Sequence, residues 1–388
     1  MSIVFDEKLD LFHLETEHTS YVIGLADKRT YVGHVYYGKR IRPQDMRYLL
    51  RVGEPPYVPS ENNRERCSFY DTFPFEYSGN GVGDYRESAI AVTTVEGQHA
   101  ILPTYVSYGI TKEKPLLAGL PSSFDRDKNT ETLIIHCTDS VLNVNVDLYY
   151  TVFEDTDMIT RSVHICNQDE EPIYLTKALS ACLDMDDNDY EMLTLHGSWA
   201  RERQMDRRAI GYGKTSVGSI KGESSHQEHP FMAWMTKNAT QTTGEVYAMH
   251  FIYSGNFIAQ LEKSQFDSIR AVMGIHPADF GWKLESGDAF DTPEVVLTYS
   301  ADGLGTMTRN FHDFYRNHLI RSKYRNQKRP VLINNWEATY FDFNTEKLLD
   351  IARTAAKHGI EMLVMDDGWF GHRNDDSTSL GDWFVNEE

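Results

Sequence analysis

Cysteine is scarce in this sequence, and its four thiols, Cys67, Cys137, Cys166 and Cys182, fall at irregular spacings with no Cys-x-x-Cys pair. That pattern signals neither a zinc site nor a disulfide framework, and free thiols in a reducing compartment are the default. Positive charge is also short: 38 Lys and Arg against 58 Asp and Glu leave a formal charge of −20. Nucleic acid and anionic membrane surfaces are thereby disfavoured as partners, because both demand basic patches, whereas a neutral ligand is compatible. No stretch reaches the roughly 18 apolar residues of a membrane span. The N-terminus, MSIVFDEKLDLFHLETEH, carries acidic residues where a signal peptide needs a basic start and an apolar run, so a cytoplasmic chain is expected. Sequence repeats and low-complexity tracts are missing too, which leaves no signal for a solenoid or a flexible linker.

What is present is strand-like over most of the chain. At 388 residues the sequence is too long for one ordinary core, and an aromatic share of 12% suits a strand-rich protein with ring surfaces to spare. Val144, Val146, Leu148, Tyr150 and Val152 alternate with Asn145, Asp147, Tyr149 and Thr151, which places one apolar row on the inner face of a sheet. Residues 245–253 and 256–261 flank Ser254–Gly255, so a tight hairpin is expected there, and similar short strands recur through Leu297. A multi-stranded antiparallel sandwich follows. Met307, Phe311, Phe314, Tyr315 and Leu319 then fall at helical spacing, predicting a linking helix over about 305–325 that leads into the basic segment Arg321 to Arg329. The expected division is a β domain over residues 1–325 and a second domain over 326–388.

The second domain reads as β-α-β. Val331 to Asn334 is a short apolar run that feeds a polar and aromatic loop, residues 335–343. Asn344 can cap the next helix, with Glu346 in its first turn, an apolar stripe of Leu348, Ala352 and Ala355, and Gly359 as the stop. Met362 to Met365 is a second apolar run, and the span of roughly 30 residues is that of one right-handed crossover joining parallel neighbours. Asp366 and Asp367 fall directly after the second strand, at the carboxyl end where barrel enzymes place substrate-facing side chains, and Trp336 holds the same place after the first.

Two carboxylates beside the indoles Trp336 and Trp369 suit a sugar: carboxylates accept from vicinal hydroxyls while an aromatic face covers the apolar face of the ring. The competing reading makes Asp-Asp-Gly a turn and the tryptophans core, and the position after a strand favours the first. Two other constellations are weaker. Gly79, Gly81 and Gly83 superficially resemble a phosphate-binding loop but lack the flanking strand and helix, so a glycine-bent surface loop is expected. His226 and His229 form a metal pair only on a helix, and Pro230 argues for a loop.

The segments NNWEATYF (334–341), MDDGWFG (365–371) and SLGDWFVN (379–386) resemble the opening of the catalytic barrel of glycoside hydrolase family 36, the bacterial-type α-galactosidases. TFPFEYSGNGVGDYR (72–86), HGSWARER (196–203), DTPEVVLTYS (291–300) and FHDFYRNHL (311–319) resemble the large N-terminal domain of the same family, in the same order. The resemblance implies a mainly β N-terminal supersandwich followed by the start of an α/β (β/α)8 TIM barrel, with the pattern cut off after about two β/α units.

It further implies retaining hydrolysis of terminal α-linked galactose in melibiose- or raffinose-type oligosaccharides, without a cofactor, by a homotetramer. The family's nucleophile and acid/base aspartates are expected beyond Glu388, so this chain alone is expected to hydrolyse little or nothing. Sequential residues leaving a strand tend to diverge, whereas a retaining pair faces across about 5–5.5 Å, so Asp366 and Asp367 are not expected to be that pair. The role the resemblance implies for them is to bind galactose O4 and O6. Trp336 and Trp199 resemble walls of the same pocket, Trp199 being equally readable as an interdomain core residue. By the same resemblance, Asp84 and Arg86 are candidates for a contact with a neighbouring subunit's pocket. Alternatives are a raffinose- or stachyose-synthase-like transglycosylase, an α-N-acetylgalactosaminidase, and a non-catalytic galactoside-binding protein.

Overall fold

The computed structural model describes residues 2–50, 69–126, 128–223 and 225–387. The chain divides into two compact units, Met1–Ile320 and Arg321–Glu388. The glycine-bent segment 72–86 lies within the first, and Cys67 falls outside the described residues.

The first unit is a sandwich of antiparallel sheets. Among the described residues, a ten-stranded sheet runs from Arg201–Ala209 at one edge, through Tyr190–Ser198, Phe231–Thr236, Val246–Ile252, Glu294–Ser300, Met158–Asn167, Val144–Phe153 and Glu131–Asp139, to Thr104–Thr111, with Ala289–Asp291 paired to Met158–Asn167. A six-stranded sheet is organised around the long strand Ile173–Asp186, and the first four strands, Ile3–Asp6 to Tyr31–Lys39, form a meander. The alternation over residues 144–152 is realised: Val144, Val146, Leu148, Tyr150 and Val152 are all buried in one continuous core that also takes in Leu175, Leu183, Trp234 and Met273. Burying such a row on one face sets the register, because a slip by one residue would turn the polar set inward.

Three strands of the large sheet do not alternate. Val246–Ile252, Phe231–Thr236 and Glu294–Ser300 are covered on both faces, because Leu304, Met307, Phe311 and Phe314 of the helix Gly303–Phe314 pack on Ala233, Met235, Val246, Ala248 and Val296. The helix is shorter than the expected 305–325. It passes into a wider turn over Tyr315–Leu319, where Ile320 N–H donates to the Tyr315 carbonyl (2.8 Å), and Ile320 is already extended at ψ 116°. His318 anchors that end, its buried ring 4.7 Å from that of Phe153 and facing the Phe124 carbonyl at 3.2 Å.

The hairpin expected about Ser254–Gly255 does not form. Val246–Ile252 pairs with Phe231–Thr236 and Glu294–Ser300 in the large sheet, whereas Phe257–Lys263 pairs with Gly213–Ser219 and Ser268–Ile275 in the smaller one. The link therefore crosses between sheets. A strand with apolar residues for both faces gains more from two covered faces than from local pairing with its neighbour in sequence.

Asp84 and Arg86 turn inward within the sandwich. Asp84 pairs with Arg86 (2.9 Å) and Arg270 (2.8 Å), and Asp184 pairs with Arg270 (2.7 Å) and Arg86 (3.2 Å), all four side chains being buried. A second buried set joins Glu76 to His34 (2.7 Å), Arg161 (3.3 Å), Tyr21 and Tyr150. Burial pushes the Glu76 carboxyl up, but Arg161 and the His34 bond outweigh it and hold the group below its ordinary value.

The second unit contains two parallel strands, Leu332–Asn334 and Met362–Val364, joined through the helix Thr345–Lys357. Asn344 caps that helix by accepting from Lys347 N–H at 3.0 Å, and Gly359 ends it at φ +82°. This is the beginning of a (β/α)8 barrel, following a β-sandwich in the sequence. No helix among the described residues is long and apolar enough to cross a membrane.

Candidate functional site

The parallel register aligns Asn334 with Val364, so residues 334–336 and 366–367 leave the sheet at the same end. The two chain segments are tied together there by side chains. Asn334 Nδ2 donates to Asp366 Oδ2 at 2.6 Å, Asn334 Oδ1 accepts from Trp336 N–H at 2.7 Å, and Asn335 Oδ1 accepts from Asp366 N–H at 2.9 Å. Asn335 is fully buried and its Nδ2 also reaches Thr339 Oγ1 at 2.9 Å, which shapes the short helical turn Trp336–Thr339.

The two aspartates differ in what remains available. Asp366 uses both oxygens internally, Oδ2 with Asn334 and Oδ1 with the Asp367 N–H (2.9 Å). Asp367 Oδ2 lies 3.0 Å from Nε of the buried Arg373, close enough for an ion pair although the N–H is not aligned as a hydrogen bond. Arg373 is itself fixed by the Thr378 carbonyl (2.7 Å). Asp367 is thus a half-buried carboxylate oriented from one side by a cation, with its other oxygen free to accept from a ligand hydroxyl.

Aromatic rings border this cluster. Trp336 meets Tyr340 and Phe341 edge-on at 5.3 and 5.0 Å, and Trp369 lies stacked on Trp383 at 6.4 Å. The loop that carries them is closed on itself, with Gly371 N–H donating to the Phe384 carbonyl and Asn386 N–H to that of Trp369, both at 2.8 Å. Residue 368 must be glycine: its φ is +101°, and a Cβ would come within 2.9 Å of the Phe343 ring.

Of the four residues singled out from sequence, Trp336, Asp366 and Asp367 gather at these strand ends. Trp199 belongs to the first unit, on the turn between Tyr190–Ser198 and Arg201–Ala209, where it is 86% exposed and packed into no core. Sequence reasoning missed Asn334, Asn335 and Arg373 as site residues. The consecutive asparagines at a strand end were the available signal, since buried amides there must find partners; Arg373 offered none, as it reaches Asp367 only through a folded loop.

A β-sandwich followed by parallel strands with carboxylates and indoles at their carboxyl ends is the architecture of a sandwich-plus-barrel glycoside hydrolase. Comparison with known proteins agrees. The model of the glycosyl hydrolase family 36 N-terminal domain matches residues 30–285 and that of melibiase matches 289–388. The chain is 43% identical over 388 residues to α-galactosidase AgaA of Geobacillus stearothermophilus, covering all of this chain and 53% of that protein. It is 41% identical to the bifunctional α-galactosidase/sucrose kinase AgaSK of Mediterraneibacter gnavus, covering all of this chain and 41% of that protein. The crystal structure of AgaB from Geobacillus stearothermophilus superposes with a TM-score of 0.93 at 42% identity, covering 100% of this chain and 53% of that one. A variant of AgaA solved with raffinose gives a TM-score of 0.92 at 43% identity, covering 97% and 52%. The chain belongs to glycoside hydrolase family 36. It spans about half the length of the curated relatives it matches.

Proposed function

We propose that this chain supplies the sandwich and the galactose-binding opening of the barrel in an α-galactosidase that releases terminal α-linked galactose from raffinose-type oligosaccharides with retention of configuration. The observation that carries the reading is the joining of Asp366 and Asp367 to Asn334 and Trp336 at the carboxyl ends of two parallel strands. Asp367 presents a charged acceptor to a galactose hydroxyl, Asp366 orients the turn and its neighbour, and Trp336 covers the apolar face of the sugar. Trp199 is carried into this reading by the family resemblance alone. Two variants of the one relative AgaA, solved with raffinose and with stachyose, support the substrate class.

The nucleophile and the acid/base are assigned to sequence following Glu388 in the full-length protein, and two carboxylates suffice for the retaining mechanism without a cofactor. Homotetrameric assembly belongs to this reading through the family resemblance alone, and a cytoplasmic location through the reducing compartment expected from the cysteine spacing. Asp367→Ala in the full-length protein tests it: the Michaelis constant for an aryl α-galactoside rises and turnover falls, because a charge-assisted contact is lost. Unchanged kinetics would remove Asp367 from substrate binding.

A further inference from the structure

The crossing at Tyr253–Asn256 that replaces the expected hairpin leaves a cleft of about 550 Å³ wholly within the first unit. That volume lies in the range of small-molecule sites, about 300–1,000 Å³. Its wall comes from the seam of the sandwich. Trp282 is on a three-residue strand at the edge of the smaller sheet, and Phe290 is on one at the edge of the larger, their rings 5.3 Å apart. Trp282 remains 50% exposed, which is a large apolar surface left in water at the mouth of a cleft.

The polar groups around these rings have unspent capacity of both kinds. Asn256 Oδ1 accepts from Gly222 N–H at 2.6 Å, which fixes the amide and leaves its Nδ2 as donor. His276 Nδ1 accepts from Ala278 N–H at 3.0 Å, so the ring proton resides on Nε2 and is available as a second donor. Burial lowers the His276 pKa against the opposing pull of Asp279, which favours this neutral form. Asp279, exposed on the rim, supplies an acceptor.

The ligand class follows from this inventory. Among the described residues no lysine or arginine lines the cleft, while Asp279 and Asp291 do, so a phosphate, nucleotide or other anion is disfavoured. Two neutral donors beside a carboxylate suit groups that both donate and accept, and the indole suits an apolar C–H face. We propose that this seam is a non-catalytic binding site for a neutral oligosaccharide, with Trp282 as platform and Asn256, His276 and Asp279 bonding its hydroxyls. It lies apart in sequence from the carboxylates of the second unit and does not depend on their assignment.

Isothermal titration of the chain with stachyose and with maltotetraose tests the site. Binding of at least one sugar is expected to survive Asp367→Ala and to weaken about tenfold in Trp282→Ala, the loss of one ring contact. Asp279→Ala, an exposed rim substitution, is expected to weaken the same binding if the tryptophan variant fails to fold. The proposal is overturned if neither sugar binds up to high millimolar concentration. It is equally overturned if Asp367→Ala abolishes binding while folded Trp282→Ala and Asp279→Ala proteins titrate like the parent. Because the two sets of variants report on different units, a failure here leaves the galactose-site reading standing, and the converse also holds.

Discussion

Asn334 Nδ2 lies 2.6 Å from Asp366 Oδ2, so the side chain ending one parallel strand holds the carboxylate that follows the next. The same asparagine accepts from the Trp336 N–H, and this one residue thereby sets both the acid and the indole of the site. Replacing it by alanine in the full-length protein frees Asp366 to turn. We expect kcat/KM for an aryl α-galactoside to fall about tenfold, equivalent to one hydrogen bond to a charged group. Asn334→Asp, which keeps the shape but places a second carboxylate against Asp366, is expected to be worse than alanine; steady-state kinetics of the two variants checks the order.

The Glu76–Arg161 pair is sealed between sheets, and removing one partner leaves a buried charge uncompensated. Arg161→Met is expected to destabilise the protein by about 3–5 kcal/mol, read as a lower urea midpoint. The double replacement Glu76→Gln with Arg161→Met should recover part of that loss. A double variant as unstable as the sum of its singles would show that the two groups act independently.

His250 gives a pH dependence of defined sign. Burial, with help from nearby His229 and Arg203, pushes its imidazole down to about 3, while in the unfolded chain it titrates near 6.5. Between those values only the unfolded chain takes up the proton. The stability it contributes is therefore whole above about pH 6.5 and is lost as pH falls toward 3. His250→Phe, which keeps a ring against Phe311 and Tyr315, should remove about one proton from the unfolding linkage over this window. Thermal midpoints measured from pH 7 to 4 in the two proteins give the comparison.

Asn344 is an exposed cap whose loss touches nothing else in the sheet. Asn344→Ala is expected to cost about 1 kcal/mol of local stability. Hydrogen exchange should accelerate in the first turn of Thr345–Lys357 and leave the sandwich strands unchanged.

The sequence by itself determined what depends on neighbours along the chain. The inward row Val144 to Val152, the Asn344 cap, the Gly359 stop and the parallel return to Met362 are all read from periods, caps and crossover length. Asp366, Asp367 and Trp336 were legible for the same reason, since a residue directly after a strand can be placed without knowing the fold around it. Tertiary structure alone decided the rest. Whether Val246–Ile252 turned back on Phe257–Lys263 or crossed to another sheet depended on the helix covering its second face, which lies fifty residues on in the sequence. Asp84 and Arg86 became internal partners of Asp184 and Arg270 through pairings that no local spacing announces. Arg373 reached Asp367, and Trp282 came beside Phe290, for the same physical reason: contacts made between elements are set by which faces gain most from burial, not by the order in which the residues are joined.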